Sequence, residues 1–491
     1  MIKITDWLSA STMNGNTSGK VSFTTTINPK EINREAHLII KGGNRTSAVT
    51  ITQYGIDANK VLYTSTDGEV VTPTSSSGVT SNTYEDGVGI ITFSLTSNIG
   101  SLMFKNRTTL ATITYPSASV ALKDYAFSGC TSLTSVDLGG VTEIGDCAFY
   151  ECKKLTSVTI PNVTTIGTSA FKSCSKLTSI ELPAVTSIGG SAFEGCSALT
   201  SVTVPNVVSI GGSAFAGCDA LTSIELPNVT TMGGGVFYNC SALTSVIAPS
   251  VATIGNNTFK ECSALVSVTV PNVTSIGEYA FYNCKALTSI ELPRVASIGG
   301  YAFSFCKALT SIELPRVASI GESAFAGCDA LTSIELPAVT SIGEVAFESC
   351  NALSSVTMPN VASIELGAFG YCDALTSIEL PLVTTIGITA FYKCTSLTSA
   401  TMPNVTTIGE YAFGGCSALT SIDLGKLESL GTYALGASSL STIYIRNSTA
   451  PSIEYDLLVA STGTLYYPKG ADYSTWLTKF GSGWTGQEIE S

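Results

Sequence analysis

The chain has 491 residues, of which 44% are hydrophobic and only 12% are charged, against about a quarter in an average soluble domain. No apolar run approaches the ~18 residues of a membrane-spanning helix, so the sequence predicts no membrane span. The formal net charge of −13 opposes binding to phosphate backbones, so we expect no nucleic-acid partner.

Residues 1–56 alternate apolar and polar side chains, which is typical of β-strands. The alternation is clearest in residues 20–26 and 48–53. No basic patch followed by an apolar core comes before them, so no signal peptide is visible in this chain. The only histidine, His37, has no cysteine or serine motif around it, and we interpret it as a solvated strand residue.

This segment resembles the second half of a BACON domain in three places: Trp7-Leu8, Arg45-Thr46 and the closing run Val49–Gly55. BACON domains are immunoglobulin-like sandwiches found in Bacteroidetes surface proteins and some of their phages. The resemblance implies a small β-sandwich-like segment, and carbohydrate binding has been proposed for that family. Residues 57–98 follow and are predicted to form an N-terminal cap.

A 22-residue unit repeats through the next part of the chain. Phenylalanine recurs fourteen times from Phe127 to Phe413, with cysteine three residues after each and leucine three residues after that. Proline recurs on the same period from Pro161 to Pro403. A period of this length predicts a solenoid, because one unit cannot bury its apolar face alone.

The residue types within one unit predict how its coil is built. Leu177, Ile180 and Leu182 face inward from a short strand, and Pro183 ends the strand because it has no N–H to donate. Stacking the coils predicts a continuous parallel sheet along one side. After the strand, Gly189 is expected to permit a bend, and the following Ala-Phe pair to form one helical or 3₁₀ turn.

The repeated wording A-F-x-x-C-x-x-L-T-S-I-x-L-P resembles the BspA-like subfamily of bacterial leucine-rich repeat surface proteins, over residues 99–445. The resemblance implies a β-rich α/β solenoid, a leucine-rich repeat superhelix with parallel strands and short helical or 3₁₀ turns. Val185 and its equivalents replace the usual ladder asparagine, so the backbone of that bend must be satisfied otherwise. Residues 446–491 look like a C-terminal cap, with Tyr473 and Trp476 covering the last coil.

Fourteen of the fifteen cysteines occupy the same core-side position, one in each coil. No C-x₂-C pair that could bind zinc occurs, and disulfides between coils would pull the stack unevenly. We therefore expect a column of buried free thiols and no bound metal. Cys147 lies outside the column, and its state is open.

Catalytic motifs are absent from the sequence. It contains no phosphate-binding loop, nucleophile elbow or metal motif, and its many glycines follow the repeat. We therefore expect a protein without enzymatic activity and without a cofactor.

Glutamates recur at the outward strand position two residues before the proline. Glu291, Glu313 and Glu335 line up in consecutive coils, and Arg294 and Arg316 follow two of them by three residues and could neutralise them. Repulsion at ~5 Å in water costs less than about 1 kcal/mol per pair, which solvent tolerates. The glutamates form either an acidic stripe for a basic or cation-bridged ligand, or a solvated face copied by duplication.

Aromatic residues cluster beside the Ala-Phe turn, where most coils have serine, glycine, alanine or lysine. Two consecutive coils hold Tyr279, Tyr282, Tyr301 and Phe305. Further coils hold Tyr371, Tyr392 and Tyr411. Exposed aromatics suit sugar stacking or protein contact, and ordinary packing between coils is the alternative.

These features predict a monomeric extracellular or cell-surface protein that binds protein or glycan ligands of host or bacterial surfaces, as resemblance to BspA-like adhesion proteins implies. Two alternatives are a phage or prophage receptor-binding component and a glycan-binding accessory module. The candidate ligand-binding residues are Glu291, Glu313, Glu335, Arg294, Arg316, Tyr279, Tyr282, Tyr301 and Phe305.

Overall fold

The computed structural model describes the strands between residues 8 and 53 by their backbone, and residues 60–75, 78–94, 99–115, 120–436, 439–451 and 459–490. The chain divides into two compact units, residues 1–185 and 186–491. The domain boundaries expected from the sequence remain a prediction.

The first unit begins with two antiparallel strand pairs. Leu8–Ala10 pairs with Phe23–Thr25, and Arg34–Gly42 pairs with Arg45–Gln53. The strands expected from the alternating pattern are therefore present. His37 lies on the third of these strands, and its side chain lies outside the described residues.

The first unit then builds a sheet in which antiparallel strands lead into parallel ones. The strand order is Val79–Glu85, Val88–Phe93, Lys60–Ser65, Leu110–Thr114, Ser135–Asp137 and Ser157–Thr159. The pairs up to Leu110–Thr114 are antiparallel, and the later ones are parallel. The unit's other strands are Val120–Leu122, Val141–Ile144, Thr165–Ile166 and Ser179–Glu181.

The second unit repeats one coil, with a three-residue and a two-residue strand in each. The three-residue strands are Ser201–Thr203, Ser223–Glu225, Ser245–Ile247, Ser267–Thr269, Ser289–Glu291, Ser311–Glu313, Ser333–Glu335, Ser355–Thr357, Ser377–Glu379, Ser399–Thr401, Ser421–Asp423 and Thr442–Tyr444. The two-residue strands are Ser187–Ile188, Ser209–Ile210, Thr231–Met232, Thr253–Ile254, Ser275–Ile276, Ser297–Ile298, Ser319–Ile320, Ser341–Ile342, Ser363–Ile364, Thr385–Ile386, Thr407–Ile408 and Ser429–Leu430.

These strands confirm the predicted parallel β-solenoid. The continuous sheet, however, was expected from the strands that precede the prolines, and the structure builds it from the two-residue strands instead. The two-residue strands from Thr253–Ile254 to Ser429–Leu430 form one nine-stranded parallel sheet, whereas the three-residue strands form several separate ladders. Ten of these twelve three-residue strands are followed closely by a proline, which donates no N–H and leaves few bonds to hold neighbouring strands in register.

The core of each unit is a column of stacked phenylalanine rings. In the second unit every ring from Phe193 to Phe413 is fully buried, with neighbouring centroids 5.0–5.8 Å apart. In the first unit Phe104 stacks on Phe127 at 5.1 Å, so the column begins one ring before the first repeat phenylalanine. Because each ring packs on the next coil's ring, the aromatic core grows by one ring with every repeat.

The turn around each core phenylalanine is not helical, which corrects the expected helical or 3₁₀ turn. Its ends have left-handed backbone, as at Ser323 (φ 51°) and Gly327 (φ 71°). The turn amides bond outward to the next coil: Phe325 N–H donates to the Ala346 carbonyl at 2.8 Å. The two left-handed residues of each turn, four positions apart, interrupt the right-handed path that a helix needs.

The cysteine column links coils through hydrogen bonds. The Cys306 thiol donates to the carbonyl of Phe281 at 3.1 Å, and the same bond recurs along the column at 3.0–3.3 Å. All fourteen column cysteines are free and buried, as predicted, and Cys147 is half-buried. Burial raises the pKa of Cys306 to about 12, so its thiol keeps the proton that it donates.

The bend at the proline is closed by a backbone bond, as from Val295 N–H to the Leu292 carbonyl at 3.3 Å, and asparagine amides add a bond between coils where asparagine follows the proline. Asn228 Nδ2 donates to the Pro205 carbonyl at 2.7 Å, and Asn404 Nδ2 to the Pro381 carbonyl at 2.8 Å. The same bond recurs at Asn162, Asn272 and Asn360.

The repeat glycine also permits close approach of neighbouring coils. A Cβ at Gly321 would lie 2.6 Å from the Gly300 nitrogen and 2.7 Å from the Gly299 carbonyl carbon. Those atoms are backbone of the preceding coil and cannot move aside cheaply. Glycine is thus a steric requirement of the spacing between coils.

The C-terminal residues cover the end of the array as expected. Strands Gly463–Pro468 and Trp484–Ile489 extend the last ladder, with helix Ser474–Phe480 between them. Tyr473 and Trp476 are buried, and the Trp476 indole N–H donates to the Pro451 carbonyl at 2.8 Å. No helix within the described ranges is long and apolar enough to cross a membrane.

Replacing one ring of the column tests its share of the stability. We expect Phe303→Ala to lower the free energy of unfolding by ~3–5 kcal/mol, because it leaves a cavity between two stacked rings. Urea unfolding followed by circular dichroism measures the loss. Phe305→Asn is the matched control, since Phe305 is 41% exposed, and its loss should stay under about 1 kcal/mol. Equal losses would contradict the column as the main core.

Thiol reactivity tests the cysteine column. At pH 8 a disulfide exchange reagent should modify at most Cys147 quickly, because raised pKa values and burial deny the reagent a thiolate elsewhere. All fifteen cysteines should react after unfolding in guanidinium chloride. Cys147→Ser should remove the fast phase, and several fast thiols in the native Cys147→Ser chain would contradict the buried column.

Candidate functional site

The four aromatic residues singled out from the sequence form one cluster on the turns of two neighbouring coils. Tyr279 and Tyr301 are stacked with ring centroids 4.7 Å apart and planes within 3° of each other. Tyr282 contacts Tyr279 and Phe305 edge to face, each at 5.6 Å between centroids. The structure therefore brings these residues together and leaves Phe305 exposed.

Large side chains at positions of left-handed backbone distinguish this cluster. Tyr279, Tyr301 and Phe305 have φ angles of 54°, 57° and 60°, in the left-handed region. At the position of Tyr279 and Tyr301, seven of the fourteen coils from Phe127 to Phe413 hold serine, glycine or asparagine, and at the position of Phe305 nine of the fourteen do. An L-residue loses ~1–2 kcal/mol in this region, and an aromatic pair returns only ~0.5–1.5 kcal/mol. The backbone is left-handed at the same positions of the other coils too, so the size of the side chain is what distinguishes these aromatic residues.

Lys260 belongs to this cluster although its sequence position did not single it out. Its ammonium nitrogen lies 4.6 Å from the ring centroid of Tyr279 and 5.3 Å from that of Tyr282. The signal was available in the repeat, because Lys260 directly follows a core phenylalanine, as Tyr282 does one coil later. We call Lys260, Tyr279, Tyr282, Tyr301 and Phe305 the first aromatic patch.

Carboxylates and amides surround this patch. The Tyr301 hydroxyl donates to Glu322 Oε1 at 2.5 Å, and that bond raises the pKa of the Tyr301 phenol, because the carboxylate holds its proton. Asn283 Nδ2 donates to Glu261 Oε2 at 2.5 Å. The patch thus combines ring surface with groups able to bond hydroxyls of a ligand.

A second patch of the same design lies further along the second unit. The Lys393 ammonium nitrogen is 5.4 Å from the ring centroids of both Tyr371 and Tyr392. Tyr392 meets Tyr411 edge to face, and Tyr411 packs beside Tyr433 at 5.2 Å between centroids. We call these five residues the second aromatic patch, and the two patches together the aromatic edge.

The glutamates singled out from the sequence lie on the three-residue strands, and all three are exposed. Glu291 is directly opposite Glu313 in a parallel pair, whereas Glu335 is opposite Thr357. Glu313 and Glu335 both line an open depression of about 470 Å³ between their strands. We call Glu291, Glu313 and Glu335 the glutamate face.

The arginines do not neutralise the glutamate face, which corrects that expectation. Among the residues that the structure describes, neither Arg294 nor Arg316 forms an ion pair with a carboxylate. Both follow the proline that ends the strand and point into solvent, where an ion pair returns only ~0–1 kcal/mol. The described part of the chain also holds no group of three His, Cys, Asp or Glu side chains arranged to bind a metal.

Charge reversal tests the repulsion on the glutamate face. We expect Glu313→Lys to raise the free energy of unfolding by less than about 1 kcal/mol at low salt, because it replaces repulsion between carboxylates by attraction. The gain should shrink in 1 M salt, where the Debye length is about 3 Å. Glu225→Lys is the control, since Glu225 lies opposite Ile247. An equal gain in both variants would contradict repulsion as the cause.

Comparison with known proteins assigns the repeats and the N-terminal segment. The model of the BspA type leucine rich repeat region matches residues 97–209, 186–295, 274–383 and 340–458, and the BACON model, a putative binding domain, matches residues 3–54. None of the curated proteins matches this chain.

Several solved bacterial structures are similar. A leucine-rich repeat protein from Bacteroides ovatus is 28% identical, with a TM-score of 0.56 over 77% of this chain and 88% of its own. One from Eubacterium ventriosum is 25% identical, with a TM-score of 0.42 over 67% of this chain and 91% of its own. Family models and fold agree with the repeat and its columns. The chain therefore belongs to the BspA-type leucine-rich repeat family and carries a BACON domain at its N-terminal end.

Proposed function

We propose that this protein is a non-enzymatic extracellular or cell-surface adhesion protein that holds a protein or glycan ligand on its aromatic edge. Membership of the BspA-type family and the BACON match support a binding role, since both are associated with binding at bacterial surfaces. The ligand comes from host or bacterial surfaces, and the chain acts as a monomer.

One observation carries the choice of the aromatic edge over the glutamate face. Large aromatic side chains occupy left-handed positions at the surface, where at least half of the coils hold serine, glycine or asparagine. The glutamate face has an explanation that needs no ligand, because duplication of a coil copies its outward glutamate. The aromatic edge replaces these small residues by large rings in neighbouring coils, and ligand binding accounts for that departure.

Binding of the purified chain to arrays of host matrix proteins and of host and bacterial glycans tests this function. We expect at least one ligand whose signal falls tenfold or more in Tyr282→Ala/Tyr301→Ala, because exposed aromatic anchors carry most interface energy. Glu291→Lys/Glu313→Lys should keep the signal. Loss only in the glutamate variant would move the site to the glutamate face, and no signal on either array would contradict an adhesion role.

A further inference from the structure

Phe305 and Tyr371 occupy the same position in coils that are three repeats apart. Both follow a core phenylalanine by two residues and have a φ angle of 60°. They are 41% and 39% exposed. The coils between them hold Gly327 and Ser349 at this position, so only short side chains separate the two rings. We call the stretch from Phe305 to Tyr371 the trough.

The surroundings of both rings leave surface open toward a ligand. Phe305 lies over the next turn, where a Cβ on Gly327 would meet its ring carbons at 2.8 and 3.0 Å, so glycine makes the room for the ring. Lys393 belongs to the coil after Tyr371 and covers that ring from the side away from the trough. One side of Phe305 thus packs on the turn at Gly327, and one side of Tyr371 packs against Lys393.

The floor of the trough is polar and acidic. Glu348 folds against Gly370, with its Cγ 3.9 Å from where a Cβ of that glycine would be. Ser349 contributes a hydroxyl beside it, and Glu322 holds the Tyr301 hydroxyl at one end. Hydroxyl and carboxylate groups between exposed rings suit a ligand that carries many hydroxyls and apolar ring faces.

The backbone of the trough offers a peptide no strand to pair with. Phe305 N–H donates to the Ala326 carbonyl at 2.8 Å, Gly327 N–H to the Glu348 carbonyl at 2.8 Å, and Ser349 N–H to the Gly370 carbonyl at 2.8 Å. Addition of an extended peptide by main-chain pairing needs free backbone donors and acceptors. In these turns the N–H groups are already bonded to carbonyls of the next coil. The ligand must therefore bind through ring faces and side-chain groups.

We infer that the trough binds an extended, neutral oligosaccharide, with one sugar against Phe305 and another against Tyr371. The site deepens the proposed adhesion function and rests on it. Glu348 within the trough and Glu322 at its Phe305 end repel acidic sugars. The ammonium group of Lys393 lies beyond Tyr371, so we expect an uncharged ligand. Three coil steps of ~4.8 Å separate the backbone positions of Phe305 and Tyr371 by roughly 15 Å, so the oligosaccharide must be long enough to reach both rings.

Titration calorimetry of the full chain against neutral gluco-, xylo- and manno-oligosaccharides of increasing length tests the site. Affinity for one series should rise with length until the ligand spans both rings, and then level off. Polygalacturonate and hyaluronan fragments should bind at least tenfold more weakly. Phe305→Asn/Tyr371→Asn should lose tenfold or more of the affinity, while each single variant keeps the binding of shorter ligands at the other ring.

Matched controls separate binding from folding. Asparagine tolerates left-handed backbone, so the double variant should keep the circular dichroism spectrum and the unfolding midpoint. Tyr238→Asn removes an exposed tyrosine (43%) of the same unit outside the trough and should leave affinity unchanged.

The outcomes distinguish this site from the adhesion function as a whole. Preference for acidic glycans, or neutral-glycan affinity that survives the double variant, would overturn the trough. If only proteins bind, and their binding is lost in Tyr282→Ala/Tyr301→Ala, the oligosaccharide proposal is wrong and the adhesion function stands. Failure of every glycan and every protein would overturn both.

Discussion

The fold depends on hydrogen bonds that each coil can make only with its neighbours. At one turn, Phe303 N–H donates forward to the Ala324 carbonyl at 2.7 Å, while the Cys306 thiol donates backward to the Phe281 carbonyl at 3.1 Å. A coil alone would leave these buried groups unpaired, at a cost comparable to a lost hydrogen bond for each. The stacked array satisfies them all, and the glycine spacing and the phenylalanine column both follow from that requirement.

Features that depend on side-chain type at a fixed period were predictable from the sequence. The buried phenylalanine and cysteine columns follow from the 22-residue period, and the outward glutamates follow from apolar and polar alternation within each strand. The cap with Tyr473 and Trp476 was expected from the family resemblance. Features that depend on backbone geometry were not. Left-handed φ at Tyr301 contradicts the preference of its residue type, and the close approach at Gly321 exists only once two coils stack.

The candidate site was predictable in its members but not in its arrangement. Repeat alignment found Tyr279, Tyr282, Tyr301 and Phe305, because a departure from a strict repeat is visible by eye. It overlooked Lys260, since lysine is ordinary at an exposed turn position until its distance to two rings is known. It also expected arginines to pair with the glutamates, although residues after the strand-ending proline leave the strand's surface.

Because neighbouring coils stack at a fixed spacing, the distance between two surface groups depends on how many coils lie between them. Phe305 and Tyr371 stand in the same position of different coils, so gain or loss of one 22-residue unit between them would move them by a single coil spacing without disturbing the core contacts of either. Their separation can therefore change only in increments of ~4.8 Å. Duplication or deletion of coils would thus change the distance between the two rings in fixed steps. The array could then fit ligands of different length while the residues that contact each sugar stay the same.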